Sequence, residues 1–276
     1  MIYFPNAKIN IGLQITGKRE DGYHNIETVF YPVGLSDIVE IIPEPDKSVS
    51  HNGFVNTGYR IDSGESGNLC LRAWSEMNKI RSLPFVRIHL HKIIPVGAGL
   101  GGGSSDAAFM LRGLNDLFEL DLSLQELIFH AGNLGSDCPF FIYNEPVIAR
   151  ERGDVFESLD LDLSGLCIII VHPGINISSA RAYSKINVGR HSAPLSEIVT
   201  TDISRWQGNI INDFEHVLFD DYPVIRNIRD RLISAGAVYS SMTGSGSAVY
   251  GLFEHETDTG IFKNEFPGMF VWKGIL

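Results

Sequence analysis

Cysteine is scarce in this chain, and its three cysteines, Cys70, Cys138 and Cys167, are widely spaced and form no C-x-x-C pair. That excludes a disulfide framework and offers no zinc spacing, so a reducing cytoplasm is the expected compartment. Positive charge is short as well: 22 Lys plus Arg against 33 Asp plus Glu leave a formal net charge of −11. Neither nucleic acid nor an anionic membrane surface is an expected partner, and any anionic ligand must be held by local features. Long apolar runs are missing. Cys167-Ile168-Ile169-Ile170-Val171 is far short of a bilayer span, and no basic stretch followed by an apolar core opens the chain, so neither a membrane span nor a secretory leader is expected. Repeats and low-complexity tracts are absent too. The 276 residues suffice for one large domain or two modest ones, and two lobes are expected, residues 1–155 and 156–276.

Glycine, in contrast, is concentrated. Five of the seven residues from Gly97 to Gly103 are glycine, a density that allows positive φ and close approach of main-chain N–H groups to a ligand. An alternating apolar run (Val86, Ile88, Leu90) precedes this loop, and apolar residues at helical spacing (Ala107, Met110, Leu111, Leu114, Leu117, Phe118) follow it. The order is strand, glycine loop, helix, with the helix expected to start at Ser104-Ser105-Asp106. Unpaired N–H groups and the positive end of the helix dipole make this an anion site, with phosphate the usual occupant. Two common phosphate loops do not fit. The dinucleotide pattern needs an acidic residue ending a second strand, whereas Asp116, Glu119 and Asp121 fall in or just after the helix; the Walker pattern needs a lysine where Gly103 stands.

The missing lysine directs attention elsewhere. From Ala7 to Ile15 the residues alternate, Ile9, Ile11, Leu13 and Ile15 on one face and Lys8, Asn10, Gly12 and Gln14 on the other, the pattern of a half-buried strand. Lys8 is then either a solvated strand lysine or the cation the loop lacks. The turn Lys18 to Gly22 delivers Tyr23 and His24 to the start of another strand, where the two rings could hold a planar group or simply cap a hairpin. Asn68 caps a helix through Leu69, Ala73, Met77 and Ile80, and Ser123-Leu124-Gln125-Glu126 is a capping box. Arg87, His89 and His91 share the polar face of the strand before the loop; two histidines at this spacing can ligate a metal, but no third ligand is near. Lys92 could reach a bound nucleotide or serve at the surface. Asp137, between the Gly135 turn and Cys138-Pro139-Phe140-Phe141, is expected to be partly buried, capping the next turn or taking a functional role.

In the second half a hairpin is expected at Gly153, a buried strand at Cys167 to Val171, a short helix from Ser178 to Ile186 carrying Tyr183, and a loop from Asn187 to Ser204. Helices are expected at Ile211 to Phe219 and Pro223 to Ala235, followed by strands on either side of Thr243-Gly244-Ser245-Gly246-Ser247. That turn is either a tight hairpin or a second set of N–H donors.

Taken in order, three segments resemble the motifs of the GHMP kinases, a family of small-molecule kinases: Pro5 to Ile11, Pro95 to Ala108, and Met242 to Ala248. The resemblance covers essentially the whole chain. It implies an α+β, two-lobed fold, with an N-terminal lobe like ribosomal protein S5 domain 2, a ferredoxin-like C-terminal lobe and ATP in the cleft between them. Asp21-Gly22-Tyr23-His24 and Gly135 to Phe141 are similar to segments of those members that phosphorylate the tertiary 2-hydroxyl of a methylerythritol cytidine diphosphate ester in the non-mevalonate route to isoprenoids. Position by position, Lys8 and Asp137 match the catalytic pair, and Asn10 a substrate contact. Tyr23 and His24 match the cytosine site, with Tyr183 on the opposite ring face and Ser179 nearby. Asn68, Leu69 and Lys92 fall where the family holds adenine. Pro95, Val96, Gly97, Ala98, Gly99, Leu100, Gly101, Gly102, Gly103, Ser104 and Ser105 match the ATP loop.

ATP as co-substrate and Mg2+ are thus the implied cofactors. The metal ligands do not carry across, because the glutamate of some relatives has no counterpart; Ser105 is a bare candidate. Monomer and homodimer both stay open. A kinase for another alcohol, a catalytically silent metabolite sensor and a dinucleotide oxidoreductase are the alternatives.

Overall fold

In this computed structural model residues 1–44, 46, 48–61, 64–186, 188 and 193–276 are described. The elements run β1 (Ile2–Tyr3), β2 (Asn6–Lys18), β3 (His24–Ser36), β4 (Ile38–Pro43), β5 (Gly53–Gly58), α1 (Gly64–Gly67), α2 (Leu69–Asn78), β6 (Val86–Lys92), α3 (Gly102–Leu117), α4 (Leu124–Gly132) and α5 (Cys138–Tyr143). There follow β7 (Val147–Glu151), β8 (Val155–Ser158), β9 (Cys167–His172), α6 (Ser179–Ser184), α7 (Leu195–Ile198), α8 (Glu215–Asp221), α9 (Pro223–Ser234), β10 (Tyr239–Met242), β11 (Val249–Phe253), α10 (Gly260–Glu265) and β12 (Phe270–Ile275). Two compact units interleave along the chain: Met1–Ala7, Leu35–Val96 and Gly101–Glu145 form the first, and Lys8–Gly34, Gly97–Leu100 and Pro146–Leu276 the second.

In the first unit the sheet order is β1-β4-β6-β5, with β5 parallel to β6 and the other pairs antiparallel. Alternate residues Val39, Ile41, Ile88 and Leu90 are buried, as are Ala73 and Met77 of α2 and Met110, Leu111 and Leu114 of α3. Each of the larger side chains contributes about 1.5–3 kcal/mol on burial. Gly113 lets α3 come close to the sheet, since a Cβ there would lie 2.5 Å from Ile41 Cδ1 and 2.8 Å from the Tyr3 ring. Asn68 caps α2 by accepting from the N–H groups of Cys70 and Leu71, and the Ser123–Glu126 capping box opens α4, both as the sequence predicts. One start differs. Helix α3 begins at Gly102, ahead of Ser104, because Gly101 at φ +72° supplies a left-handed N-cap and the serines fall inside the first turn.

In the second unit β2-β3-β7-β8 form one sheet and β10-β11-β9-β12 another. The latter is antiparallel throughout, with β9 central and buried along its length, as its unbroken apolar run predicts. Its order and crossovers are those of a ferredoxin-like lobe. Ile169, Val171, Val249 and Phe253 pack into one core with Leu218 and Phe219 of α8, Ile225, Ile228 and Leu232 of α9, and Phe262 of α10. Three expectations are corrected here. Strand β2 is buried on both faces rather than one: Lys8 is 3 %, Asn10 2 % and Gln14 5 % exposed. The stretch expected as loop contains α7 and a 3-10 turn at Ile203–Arg205, while Asn187 and residues 189–192 lie outside the described residues. The helix expected from Ile211 starts only at Glu215, because the backbone of Ile211 and Asp213 hydrogen-bonds to Leu13 of β2 instead. Among the described residues no helix is long and apolar enough to cross a membrane.

Candidate active site

In the first unit the end of β6 meets the start of α3. Gly102 has no room for a side chain, since a Cβ would stand 2.7 Å from Lys92 Nζ and 2.9 Å from Ile94. The N–H groups of the first helical turn have no partner one turn back within the helix, which is what an anion needs. Beside Gly103 lies Leu69, whose Cδ1 would be 3.7 Å from a Cβ at that glycine, so the cap of α2 and the start of α3 adjoin. Ser105 Oγ, inside the first turn of α3, is buried and has no hydrogen-bond partner.

Lys92 is neither at the surface nor open to a nucleotide. Its buried ammonium donates to Asp106 Oδ2 at 2.8 Å and to Asp37 Oδ2, while Asp37 Oδ1 accepts from the Ile94 N–H at 2.8 Å and from that of Ile93. Burial works against the ammonium, but Asp106 and Asp37 outweigh it and hold the Lys92 pKa above its ordinary value. Burial, aided by the Asp37 charge, pushes Asp106 up to about 7 against the pull of Lys92. Asp37 carries no signal along the chain, and the local pattern cast Asp106 as a cap.

Asp137 occupies the N-cap position of α5 at φ −83°, ψ −14°, yet its side chain makes no cap hydrogen bond, so the capping role is not what it does. It is partly buried, as expected. The adjoining Cys138 thiol hydrogen-bonds with Ser104 and is pushed by burial to about 12, too high for a thiolate nucleophile. The residue after Asp137 is thereby tied to the first turn of α3.

In the second unit Lys8 and Asn10 point from the same face of β2. Lys8 Nζ donates to Asn10 Oδ1 at 2.5 Å and lies 4.7 Å from the Phe30 ring centroid. Asn10 is itself fixed: its amide nitrogen donates to Thr28 Oγ1 at 2.9 Å, and its backbone N–H to Thr243 Oγ1 at 3.0 Å. The Gly97–Leu100 segment runs past both. Leu100 O accepts from Lys8 N at 3.0 Å, Ala98 O from Ala248 N at 3.1 Å, and Gly99 O from Thr243 Oγ1 at 3.1 Å. Two of its glycines are required by contact as well as by φ: a Cβ at Gly97 would sit 2.2 Å from Asn176 Oδ1, and one at Gly99 2.1 Å from Thr243 O. The two glycine turns and the strand with Lys8 are therefore one hydrogen-bonded assembly.

The residues matched to the cytosine site also gather in this unit. His24 stacks on Tyr183 with centroids 5.2 Å apart and planes 18° from parallel, and Phe214 meets Tyr183 edge-on at 4.9 Å. Ser179 Oγ is 2.9 Å from Ser245 Oγ in the second glycine turn. Tyr23 is 59 % exposed with the Arg152 guanidinium 5.5 Å from its ring centroid. His89 and His91 of β6 each lie 2.9 Å from Thr57 Oγ1, and among the described residues no three His, Cys, Asp or Glu form a cluster that could hold an ion. Asn212, whose amide grips two carbonyls beside the second glycine turn, went unnoticed in the sequence because it falls inside an apolar pattern of helical spacing; an Asn-Asp pair there was the available signal.

The description "GHMP kinases N terminal domain" matches residues 68–145, and "GHMP kinases C terminal" residues 201–270. A Parabacteroides distasonis protein named 4-diphosphocytidyl-2-C-methyl-D-erythritol kinase is 44% identical over 100% of both chains. The chain belongs to the GHMP kinase family. A protein of the same name from Bacteroides thetaiotaomicron is 48% identical over 93% of both chains. Among solved structures, a 4-(cytidine 5'-diphospho)-2C-methyl-D-erythritol kinase superimposes on this GHMP kinase with a TM-score of 0.82 at 30% identity, over 99% of this chain and 98% of the other. The homoserine kinase from Cytophaga hutchinsonii, with a TM-score of 0.73, 16% identity and coverage of 100% and 94%, shares the fold.

Proposed function

We propose that this GHMP kinase transfers the γ-phosphoryl group of ATP to the 2-hydroxyl of 4-diphosphocytidyl-2-C-methyl-D-erythritol, a step toward isoprenoid precursors. The observation that carries this reading is identity of 44% and more to relatives of that name along nearly the whole of both chains. The likeness to homoserine kinase supports the fold alone.

Phosphoryl transfer asks for positioning and charge stabilisation, with attacking and leaving oxygens in line. The N–H groups of Gly97 to Ser104 hold the phosphates, already oriented before the reaction begins, while that of Ser105 is taken by Gly101 O at 2.9 Å. Pro95, Val96, Asn68 and Leu69 border the nucleoside; the nearness of the Leu69 side chain to Gly103 supports this. Lys92 serves the nucleotide by holding the start of α3 rather than through its own ammonium, which two carboxylates engage. Asp137 accepts or orients the proton of the hydroxyl, and Lys8 stabilises negative charge on the reacting oxygens; the fixed Lys8–Asn10 pair supports the latter role. Asn10 orients the substrate, His24, Tyr23 and Tyr183 take the cytosine, and Ser179 lies alongside. Mg2+, when bound, would neutralise phosphate charge, and the Ser105 hydroxyl, buried with no hydrogen-bond partner, is the candidate to hold it. Residues 1–155 and 156–276 are proposed as the two family domains, the matched stretches falling one on each side of that boundary. The three free, buried cysteines support a reducing cytoplasm.

The test is a phosphorylation assay with ATP and Mg2+ across the cytidine ester, homoserine and mevalonate. Turnover of the ester at least a hundredfold above the others is expected; preference for another alcohol overturns the reading.

A further inference from the structure

The segment Ile211-Asn212-Asp213-Phe214, a bridge residue followed by a turn and continuing into Glu215, reaches two parts of the second unit at once. Toward β2, Ile211 O accepts from Leu13 N at 3.1 Å, Asp213 N donates to Leu13 O at 2.9 Å, and Asp213 Oδ2 accepts from Ile15 N at 2.7 Å. Toward the second glycine turn, Glu215 Oε1 accepts from Met242 N at 2.7 Å and from Ser241 Oγ at 2.8 Å. Asn212 is the centre of this brace. It is 0 % exposed, and its amide nitrogen donates to Met242 O and Gly244 O, each at 2.8 Å, while Oδ1 accepts from Phe214 N at 3.1 Å.

The two carbonyls flank Thr243, whose hydroxyl links Asn10 of β2 to Gly99 of the first glycine loop. Carbonyls aimed at one buried point repel each other and are costly to leave unpaired. A primary amide answers both from a single nitrogen and keeps an acceptor for its own backbone; a hydroxyl has one proton and an ionised carboxylate none.

We propose that Asn212 is a positioning residue of the phosphoryl transfer: by gripping the carbonyls on either side of Thr243 it sets the Lys8–Asn10 strand and the Gly97–Leu100 loop in one arrangement. The inference rests on the kinase reading above. Misplacement of reacting groups by a fraction of an ångström lowers turnover more than binding.

The experiment compares the full-length protein with Asn212→Ala, Thr243→Val and the double variant under ATP, Mg2+ and the cytidine ester. Asn212→Ala is expected to lower kcat by about thirtyfold or more with both KM values within about threefold, and the double variant to fall no more than about threefold below the poorer single variant, since both changes act through one turn. An unchanged kcat, or effects that multiply, overturns the proposal while leaving the kinase reading intact; no turnover by the unsubstituted protein overturns both. Should Asn212→Ala not fold, Asn212→Asp keeps the volume. Its carboxylate faces two carbonyls with no donor until it gains a proton, so kcat relative to the unsubstituted protein should rise as pH falls. The neighbouring carboxylates Asp213 and Glu215 are common to both proteins and cancel in that ratio, and a ratio independent of pH overturns the proposal.

Discussion

Lys92 Nζ lies 2.8 Å from Asp106 Oδ2, both side chains buried, in a cluster that Asp37 completes. One cation thus faces two carboxylates out of contact with water, and it joins the end of β6 to the first turn of α3. Its consequence is a pH-dependent stability. Asp106 titrates at 3.8 in the unfolded chain and at about 7 when folded, so the folded state holds the proton more tightly. The contribution is fully present below pH 3.8 and is lost as pH rises toward 7, at a slope of at most about 1.4 kcal/mol per pH unit. Asp106→Asn removes that slope. Urea midpoints at pH 5 and pH 7 should therefore drop for the unsubstituted protein relative to the variant, and parallel curves would show that Asp106 does not hold the proton.

Lys8→Ala and Asp137→Asn should each lower kcat by about two orders of magnitude or more, the range for a positioned acid–base or charge-stabilising group. Steady-state kinetics decide it. A variant of either residue with near-normal kcat removes that residue from the chemistry.

The His24–Tyr183 stack leaves 5.2 Å between centroids, whereas a base held between two rings needs roughly twice the ~3.5 Å of a single van der Waals contact. The pair must part before cytosine can lie between them, or the base stacks on the exposed Tyr23. Tyr183→Ala should raise KM for the cytidine ester about tenfold and leave KM for ATP unchanged; the reverse pattern would assign Tyr183 to the nucleotide.

Gly99→Ala should be severe. A Cβ there meets Thr243 O at 2.1 Å, and the φ of +80° is itself strained for alanine. Both a lowered Tm and a fall in kcat/KM for ATP of more than tenfold are expected. Wild-type values for either would mean that the two glycine turns are not in contact.

Much of this site was legible along the chain because its parts are local. The strand, glycine loop and helix order around Gly97–Gly103, the Asn68 cap and the Ser123 capping box depend on residues a few positions apart, and short-range sterics and hydrogen bonding decide them. The three motifs that resemble GHMP kinases are local in the same sense, and the family relationship was legible from them. What the linear pattern could not supply is which buried polar group meets which. Lys8 on an alternating strand looked half-solvated, yet it is 3 % exposed in the folded chain. Lys92 read as a surface or nucleotide lysine until folding brought Asp37, 55 residues away, to its ammonium. Asn212 looked like part of a helix until two carbonyls 30 and 32 residues further on claimed its amide. Periodicity reports which face is apolar; partners for buried charges and amides come from distant segments, and only tertiary packing selects them.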